Sequence, residues 1–442
     1  MTPFFAVAGA LVEPPAWMVL PFCALLLCIA MLPLLASGFW EHHFKKVSLG
    51  LGLCAIAYYA IDRHDLVPVF HTLEEYIGFM ALIGSLFVIT GSINVRVKGE
   101  SAPWKNAVFL FFGAMLATVV GTTGASMLLI RPWISMNKYR ITSYHIVFFI
   151  FIISNVGGSL TPAGNPPLYM GFLRGVGFWW TLQNLWPSWL LAVTLLVALF
   201  YVLDVRNFHR APRQLQEHVE EEHEHWKTRG LLHLVWLGVV LGTMLLPRDL
   251  KIGTEAFALP VSALIMAAAA LISYKTTPVQ VHEANHFSFG PVKEVGWLFI
   301  GIFLTMRPAL DILQGGHALT ISTPLEFYFS SGALSAFLDN APTYLAFLTA
   351  AMGREHASVD EVAQVAQFAS SHGAYVLAVS MGANFFGAGS YIGNGPNFMV
   401  KAIADKAHVH TPSFPGYLIK YSVPMLLPIL AFVGWVFLGR GH

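Results

Sequence analysis

Residues 382–400 read Gly-Ala-Asn-Phe-Phe-Gly-Ala-Gly-Ser-Tyr-Ile-Gly-Asn-Gly-Pro-Asn-Phe-Met-Val, a polar, glycine-broken stretch inside a hydrophobic segment. Glycine and proline free backbone amides and carbonyls that lipid cannot satisfy, so such a break must be buried in protein or line a polar cavity. A second copy lies upstream at 154–170. Sliding one onto the other by 229 positions pairs Asn155 with Asn384, Gly158 with Gly387, Thr161 with Ser390, Gly164 with Gly393, Asn165 with Asn394, Pro167 with Pro396 and Met170 with Met399, in one ungapped register. Broken segments at corresponding places in two halves point to a solute site shared between repeats.

The surrounding chain fits that reading. Of 442 residues, 56% are hydrophobic and only 11% charged, with a mean hydropathy of +0.63, the composition of a polytopic membrane protein. A net charge of +1 carries no nucleic-acid signal. Cys23, Cys28 and Cys54 fall in the first two apolar segments and read as small hydrophobes rather than a disulfide framework or metal site. Residues 1–16 lack the basic region of a cleavable signal, so the first apolar run is expected to be a retained helix. No phosphate-binding glycine loop with its lysine is present, so transport is expected to draw on an ion gradient rather than ATP.

The expected fold is all-α and polytopic, with two inverted repeats, each holding a re-entrant hairpin and an unwound helix. The first membrane repeat is placed at 17–204, a charged cytoplasmic linker at 205–229 and the second repeat at 230–438. Apolar spans are expected over 17–36, 47–61, 76–95 and 186–203, then 230–246, 256–273, 295–313 and 417–438, the second being short for a crossing. Residues 106–131 carry Gly121-Thr122-Thr123-Gly124 near their middle, which reads as a hairpin tip, with one long crossing helix as the alternative. Residues 325–352 form the matching hairpin, turning at Phe337-Leu338-Asp339-Asn340-Ala341-Pro342, where proline pushes Ala341 out of the helical region. Ser358 and Glu361 read as a capping box that starts a short amphipathic helix. An odd number of crossings per half inverts the second half, and with both termini outside most Lys and Arg fall inside, as the positive-inside rule requires.

Chemistry concentrates in the breaks. Unwound carbonyls with Asn155, Asn384, Thr161 and Ser390 offer neutral oxygens suited to a hard cation such as sodium. The duplicated pair Asn165 and Asn394 completes the candidate set in these segments. Half-helices restarting after Pro167 and Pro396 present free amides that suit an anion. The plainer alternative is that these glycines and prolines only kink helices or let them pack closely, but packing does not require asparagines at the same places in both repeats. Asp339 is the acidic residue at the core of a proposed tip. A carboxylate at that depth is costly unless used, which makes it a proton or sodium exchanger, a helix N-cap, or both. Arg307 and Asp311, four apart, read as an internal ion pair. His145 and His372 read as packed or interfacial residues. The His218–His225 acidic run reads as a solvated linker.

The segments ISNVGGSLTPAGNPPLYMGFL and MGANFFGAGSYIGNGPNFMVKAI, with TTGASMLLIRP and LDNAPTYLAFL, resemble the ion transporter superfamily, and within it the group of sodium/proton antiporters and citrate transporters. The resemblance spans about residues 17–438. It implies inverted repeats, a homodimer held by scaffold helices, elevator-like movement of the site, and site residues Thr122, Thr123 and Ser126 at the first tip and Asp339, Asn340 and Thr343 at the second. The carboxylate-transporting branch shows Ser-Asn-Thr at its tips, a form absent here. Asp-Asn-Ala-Pro is similar instead to the Asp-Asn-x-Pro of the antiporter branch.

The expected function is therefore sodium/proton antiport in a bacterial-type inner membrane, with sodium seated by Asn155, Asn384 and Asp339. Sodium-coupled symport of a di- or tricarboxylate such as citrate is the alternative, and an intramembrane enzyme a remote one. No enzyme activity and no cofactor beyond the sodium ion are expected. The expected partners are sodium, protons, membrane lipid and, under symport, a carboxylate, with no nucleic acid.

Overall fold

A computed structural model describes residues 14–98, 102–210, 225–245, 258–285, 287–315 and 320–439. The fold is mostly helical. The first half runs α1 (Leu20–Leu35), α2 (Ser37–Ala57), α3 (Val67–Gly91), α4 (Pro103–Ser135), α5 (Ser143–Ile152), α6 (Pro166–Arg174) and α7 (Phe178–Arg210). The second runs α8 (Leu234–Leu245), α9 (Ala258–Thr276), α10 (Gly290–Gln314), α11 (Pro324–Ser335), α12 (Asn340–Arg354), α13 (Val362–Ser371), α14 (Gly373–Phe386), α15 (Gly395–Lys406) and, after a wide-turn segment at Leu418–Leu426, α16 (Leu427–Leu438). Among the described residues seven helical stretches, α4 counted end to end, are long and apolar enough to cross a membrane, and six remain without α4, so the chain is a multi-pass membrane protein.

Both proposed hairpins double back. Along α4, Gly121 takes φ 80° and ψ 153°, a conformation open to glycine and outside any helix. Phe109 and Trp133 then stack with ring centroids 5.3 Å apart. On one straight helix, 24 residues would separate them by ~36 Å. In the second half α11 and α12 meet at Asp339, and Phe327 packs on Phe347 with centroids 6.2 Å apart. One long crossing helix at α4 is thus excluded by the return contact.

Both broken segments are half-helices joined by polar loops. From His145 to Ile152 every residue of α5 is buried, so this helix is sheathed in protein on all sides. At ten residues it is too short to span a bilayer. A 3-10 turn at Val156–Gly158 follows, then α6 with Pro166 and Pro167 in its first turn, where a missing N–H costs nothing. The second copy repeats the order through α14, a 3-10 turn at Gly387–Gly389, and α15 with Pro396 in its first turn. The halves interlock reciprocally: α6 packs against α12 of the second hairpin, and α15 packs against α4 of the first. Around them, α2 packs on α10, and α3 on both α9 and α10.

Several expectations change. The short span at 47–61 is the end of a helix that runs from Ser37 and continues through a wide turn to Asp62. The polar patch Glu41–Lys46 interrupts the apolar run but not the helix, because these residues are ordinary helix formers. The fold is not purely α: Asn94–Lys98 (β1) pairs antiparallel with His225–Arg229 (β2), in the register Asn94 to Arg229 and Lys98 to His225. Asn-Val-Arg-Val-Lys alternates β-branched and polar residues, a strand period hidden at the end of the 76–95 run. Helix α7 extends to Arg210, and residues 211–224, with most of the His218–His225 run, lie outside the described residues. The Ser358 capping box does not form, since α13 starts at Val362 with Glu361 as its N-cap. Boxes form instead at Thr142 with His145 and at Thr323 with Glu326.

Candidate functional site

The two loops are built alike from backbone contacts only glycine permits. A Cβ on Gly164 would lie 2.1 Å from the Gly158 carbonyl oxygen, and one on Gly393 would lie 2.6 Å from that of Gly387. In each loop the matched hydroxyl ties it to the end of its own hairpin's first arm: Thr161 donates to the Thr118 carbonyl and Ser390 to that of Ala336, both at 2.5 Å. The same hydroxyls accept from the amides of Gly164 at 3.1 Å and Gly393 at 3.2 Å. Thr161 and Ser390 are thus loop staples in both halves, each spending its proton on the fold and accepting one backbone amide at Thr161 and two at Ser390.

Asparagines join the loops across the halves. Asn155 Nδ2 donates to Asn397 Oδ1 at 2.7 Å and to the Ile150 carbonyl at 2.9 Å. Its Oδ1 accepts from Asn394 Nδ2 at 3.1 Å, and Asn394 also donates to the Ser154 carbonyl at 3.0 Å. Asn397 closes the group by donating to the carbonyls of Gly387 and Ser390, both at 2.8 Å. Sequence reading missed Asn397 because the 229-residue register sets it opposite Leu168, so a test for duplicated residues passes over it. The second asparagine of Asn394-Gly-Pro-Asn397 was the available signal.

The symmetric counterpart of this clasp is open. Asn384 corresponds to Asn155 and Asn165 to Asn394, yet Asn384 Oδ1 and Asn165 Nδ2 are both buried with no hydrogen-bond partner among the described residues. Asn384 Nδ2 is held by the Ser380 carbonyl at 2.6 Å, which fixes its oxygen outward from its helix. Asn165 Oδ1 accepts from Asn340 Nδ2 at 3.4 Å, leaving Asn340 Oδ1 and the Thr122 hydroxyl as further buried, unpartnered polar atoms. Unsatisfied buried polar atoms each cost about 1–3 kcal/mol, and four such atoms lie on the two loops and hairpin tips.

Asp339 sits at the second tip, half-buried. Its Oδ1 accepts from the Ala341 amide at 3.0 Å, and its carbonyl accepts from the Thr343 hydroxyl at 2.9 Å, so it does cap α12. It also lines a cavity of about 50 Å³ with Thr123, Pro166, Asn394, Gly395, Pro396 and Met399. Both hairpin tips and both helix restarts therefore reach one small space. Ser126, the remaining tip residue, is turned away from it and exchanges a 2.7 Å hydroxyl bond with Ser154.

Two charge clusters lie apart from the loops. Asp204 is fully buried and bound by Arg140, by Tyr144 at 2.9 Å, by Asn106 at 2.8 Å and by His145 Nε2 at 3.1 Å, which makes His145 a packed structural residue. Arg307 pairs with Asp311 at 2.7 Å as expected, and also with Asp360. His372 stands 3.9 Å from the Glu355 carboxylate on the partly exposed start of α14.

No curated protein matches this chain. A family profile described as "Putative citrate transport" matches residues 12–438, nearly the whole sequence. The chain therefore belongs to that citrate transport family.

Proposed function

We propose that this protein is a secondary active transporter that seats a cation at Asp339 and exchanges sodium for protons there. The observation that carries the reading is the 50 Å³ cavity where Asp339 and Thr123 from the tips meet Pro166 and Asn394 from the restarts. That space suits a single small cation with few waters, while a tricarboxylate is several times larger. Asp339 is the carboxylate on its wall, so occupancy by a proton and by sodium exclude one another, the requirement for exchange. The free oxygens of Asn384 and Asn340, outside the lining of that cavity, are neutral acceptors of the kind sodium prefers. Under this reading the halves 17–204 and 230–438 are inverted repeats, the hairpins re-enter the membrane, and hairpins with broken helices move as one body against α2, α3 and α10 of a homodimeric scaffold, across a bacterial-type inner membrane with both termini outside.

Asp339→Asn tests the reading, because it keeps the cap of α12 while removing charge and titration. In proteoliposomes an imposed sodium gradient is expected to change internal pH with the wild type and not with the variant. Exchange by Asp339→Asn at the wild-type rate and pH profile would overturn the assignment.

A second reading, coupling of the cation to a citrate-class carboxylate, is favoured by the family and by the anion-friendly restarts of α6 and α15. Citrate uptake that depends on sodium, measured in the same vesicles, separates the two.

A further inference from the structure

A cavity of about 690 Å³ lies between two walls of different character. One is formed by α3, the segment before α10 and the first turn of α10, through Phe87, Thr90, Asn285, Phe287, Ser288 and Pro291. The other is formed by α4 and α15, which pack against each other, and contributes Met127, Ser135 and Met399 together with two cations, Arg131 and Lys406. No carboxylate lines the cavity, and among the described residues neither cation takes part in an ion pair. Phe87, Pro291 and Met399 also line the small cavity at Asp339, so the two cavities share a wall.

A half-buried guanidinium without a counter-charge is costly in a membrane protein unless water or an anion completes it. Two acidic residues of the neighbouring elements are committed elsewhere: Asp405 pairs with Lys401 at 2.5 Å and accepts from Thr411 at 2.6 Å, and Asp204 is enclosed by Arg140 and its other donors. Of the polar remainder of the lining, Thr90, Ser135 and Asn285 already donate to backbone carbonyls, so Arg131 and Lys406, with Ser288, are the groups left for an anion's oxygens. The volume is more than ample for a six-carbon acid with its water. Both cations stand on the wall formed by α4 and α15, Lys406 at the C-terminal end of α15.

We propose that this chamber is a binding site for a di- or tricarboxylate anion, held by Arg131 and Lys406 and adjoining the small cavity at Asp339. The proposal rests on the citrate-class reading and adds to it the location and the residues of the anion site. Guanidinium and ammonium on one wall engage separate carboxylates, so an anion with two or more carboxylates binds and a monocarboxylate binds weakly.

The test is equilibrium binding of radiolabelled citrate to the purified full chain in phosphatidylcholine nanodiscs at neutral pH with sodium present. Loss of one charge-assisted contact is expected to weaken binding by about tenfold in Arg131→Gln and in Lys406→Gln. Arg131→Lys should recover part of the loss, and Lys275→Gln, exposed on α9, should bind as the wild type does. Acetate should fail to compete. Wild-type affinity in both glutamine variants would overturn the proposal and leave the citrate reading standing. Absence of citrate binding to the wild type would overturn both. A parallel set of discs containing phosphatidylglycerol distinguishes a lipid occupant: if wild-type citrate binding is abolished there and the variants lose phosphatidylglycerol retention, the chamber is a headgroup site and the proposal fails.

Discussion

Arg307 and Asp360 meet in a two-bond fork, Nη1 to Oδ1 at 2.8 Å and Nη2 to Oδ2 at 2.7 Å. Arg307 belongs to α10, whereas Asp360 lies in the loop between α12 and α13 and also receives Arg174 from α6. Arg174 reaches on to Glu75 of α3 at 2.8 Å, and Tyr59 caps Asp311. The broken helix and the second hairpin are thereby tied to α2, α3 and α10 at one end of the molecule.

Burial opposes the charge on Asp360, but the guanidinium of Arg307, with Arg174, outweighs it and holds the carboxyl well below the usual carboxylate range. A depressed folded pKa contributes stability that is present above the ordinary carboxylate value and lost as pH falls through the folded one. The fork should thus be intact from neutral pH down past pH 4. Asp360→Asn should cost about 1–2 kcal/mol at neutral pH, discounted for the exposure of this carboxylate, and thermal melting of wild type and variant should converge in strong acid. Arg307→Lys should lose most of the same amount, because an ammonium cannot make the fork.

Asn155 and Asn384 occupy matched positions and should respond differently. Removing the Asn155 amide strands Asn397 Oδ1 and breaks the bond between halves, so Asn155→Ala should lower stability by about 1–3 kcal/mol, read as a lower melting temperature. Asn384 gives up one bond to Ser380 and an oxygen that has no partner. Asn384→Ala should melt close to wild type while raising the sodium concentration for half-maximal transport. A large melting shift for Asn384→Ala with unchanged sodium dependence would make its oxygen structural.

Gly164 leaves no room for a Cβ, and the obstruction is backbone. Gly164→Ala should therefore cost about 3 kcal/mol or more and abolish transport, since neither loop strand can yield without breaking its staple. Gly242→Ala on α8, with nothing within 4 Å of its added Cβ, is the control and should leave yield and transport unchanged.

Inversion of the halves can be read by labelling. Asp360 is engaged by two arginines, so exposed Ser370 on α13 and Lys227 on β2 are better positions for single cysteines, in a background with Cys23, Cys28 and Cys54 replaced. An impermeant thiol reagent should modify the Ser370 position only from the outer face and the Lys227 position only from the inner one. Labelling of both from one side would sink the inverted arrangement.

The amino-acid sequence determined where the helices break and that they break twice. Those features are local: Gly158, Gly164 and Pro167, with Gly387, Gly393 and Pro396, act through the backbone of their own segments, and the resulting loops lie where the 229-residue register sets them. Apolar length likewise marked most of the spans, and Asp339 stood out because an acid at a tip between two apolar arms has no cheap alternative. What the tertiary structure decided is pairing. Whether 103–135 crosses or doubles back is settled by a contact between Phe109 and Trp133, residues far apart on any straight helix. That Asn155 is spent on Asn394 and Asn397 while Asn384 keeps a free oxygen depends on how two halves of similar sequence settle together, and near-symmetric residues cannot reveal an asymmetric fit. The partner of Asp360 was hidden for the same reason: an ion pair across 53 residues leaves no period or spacing in the chain, only a distance in the fold.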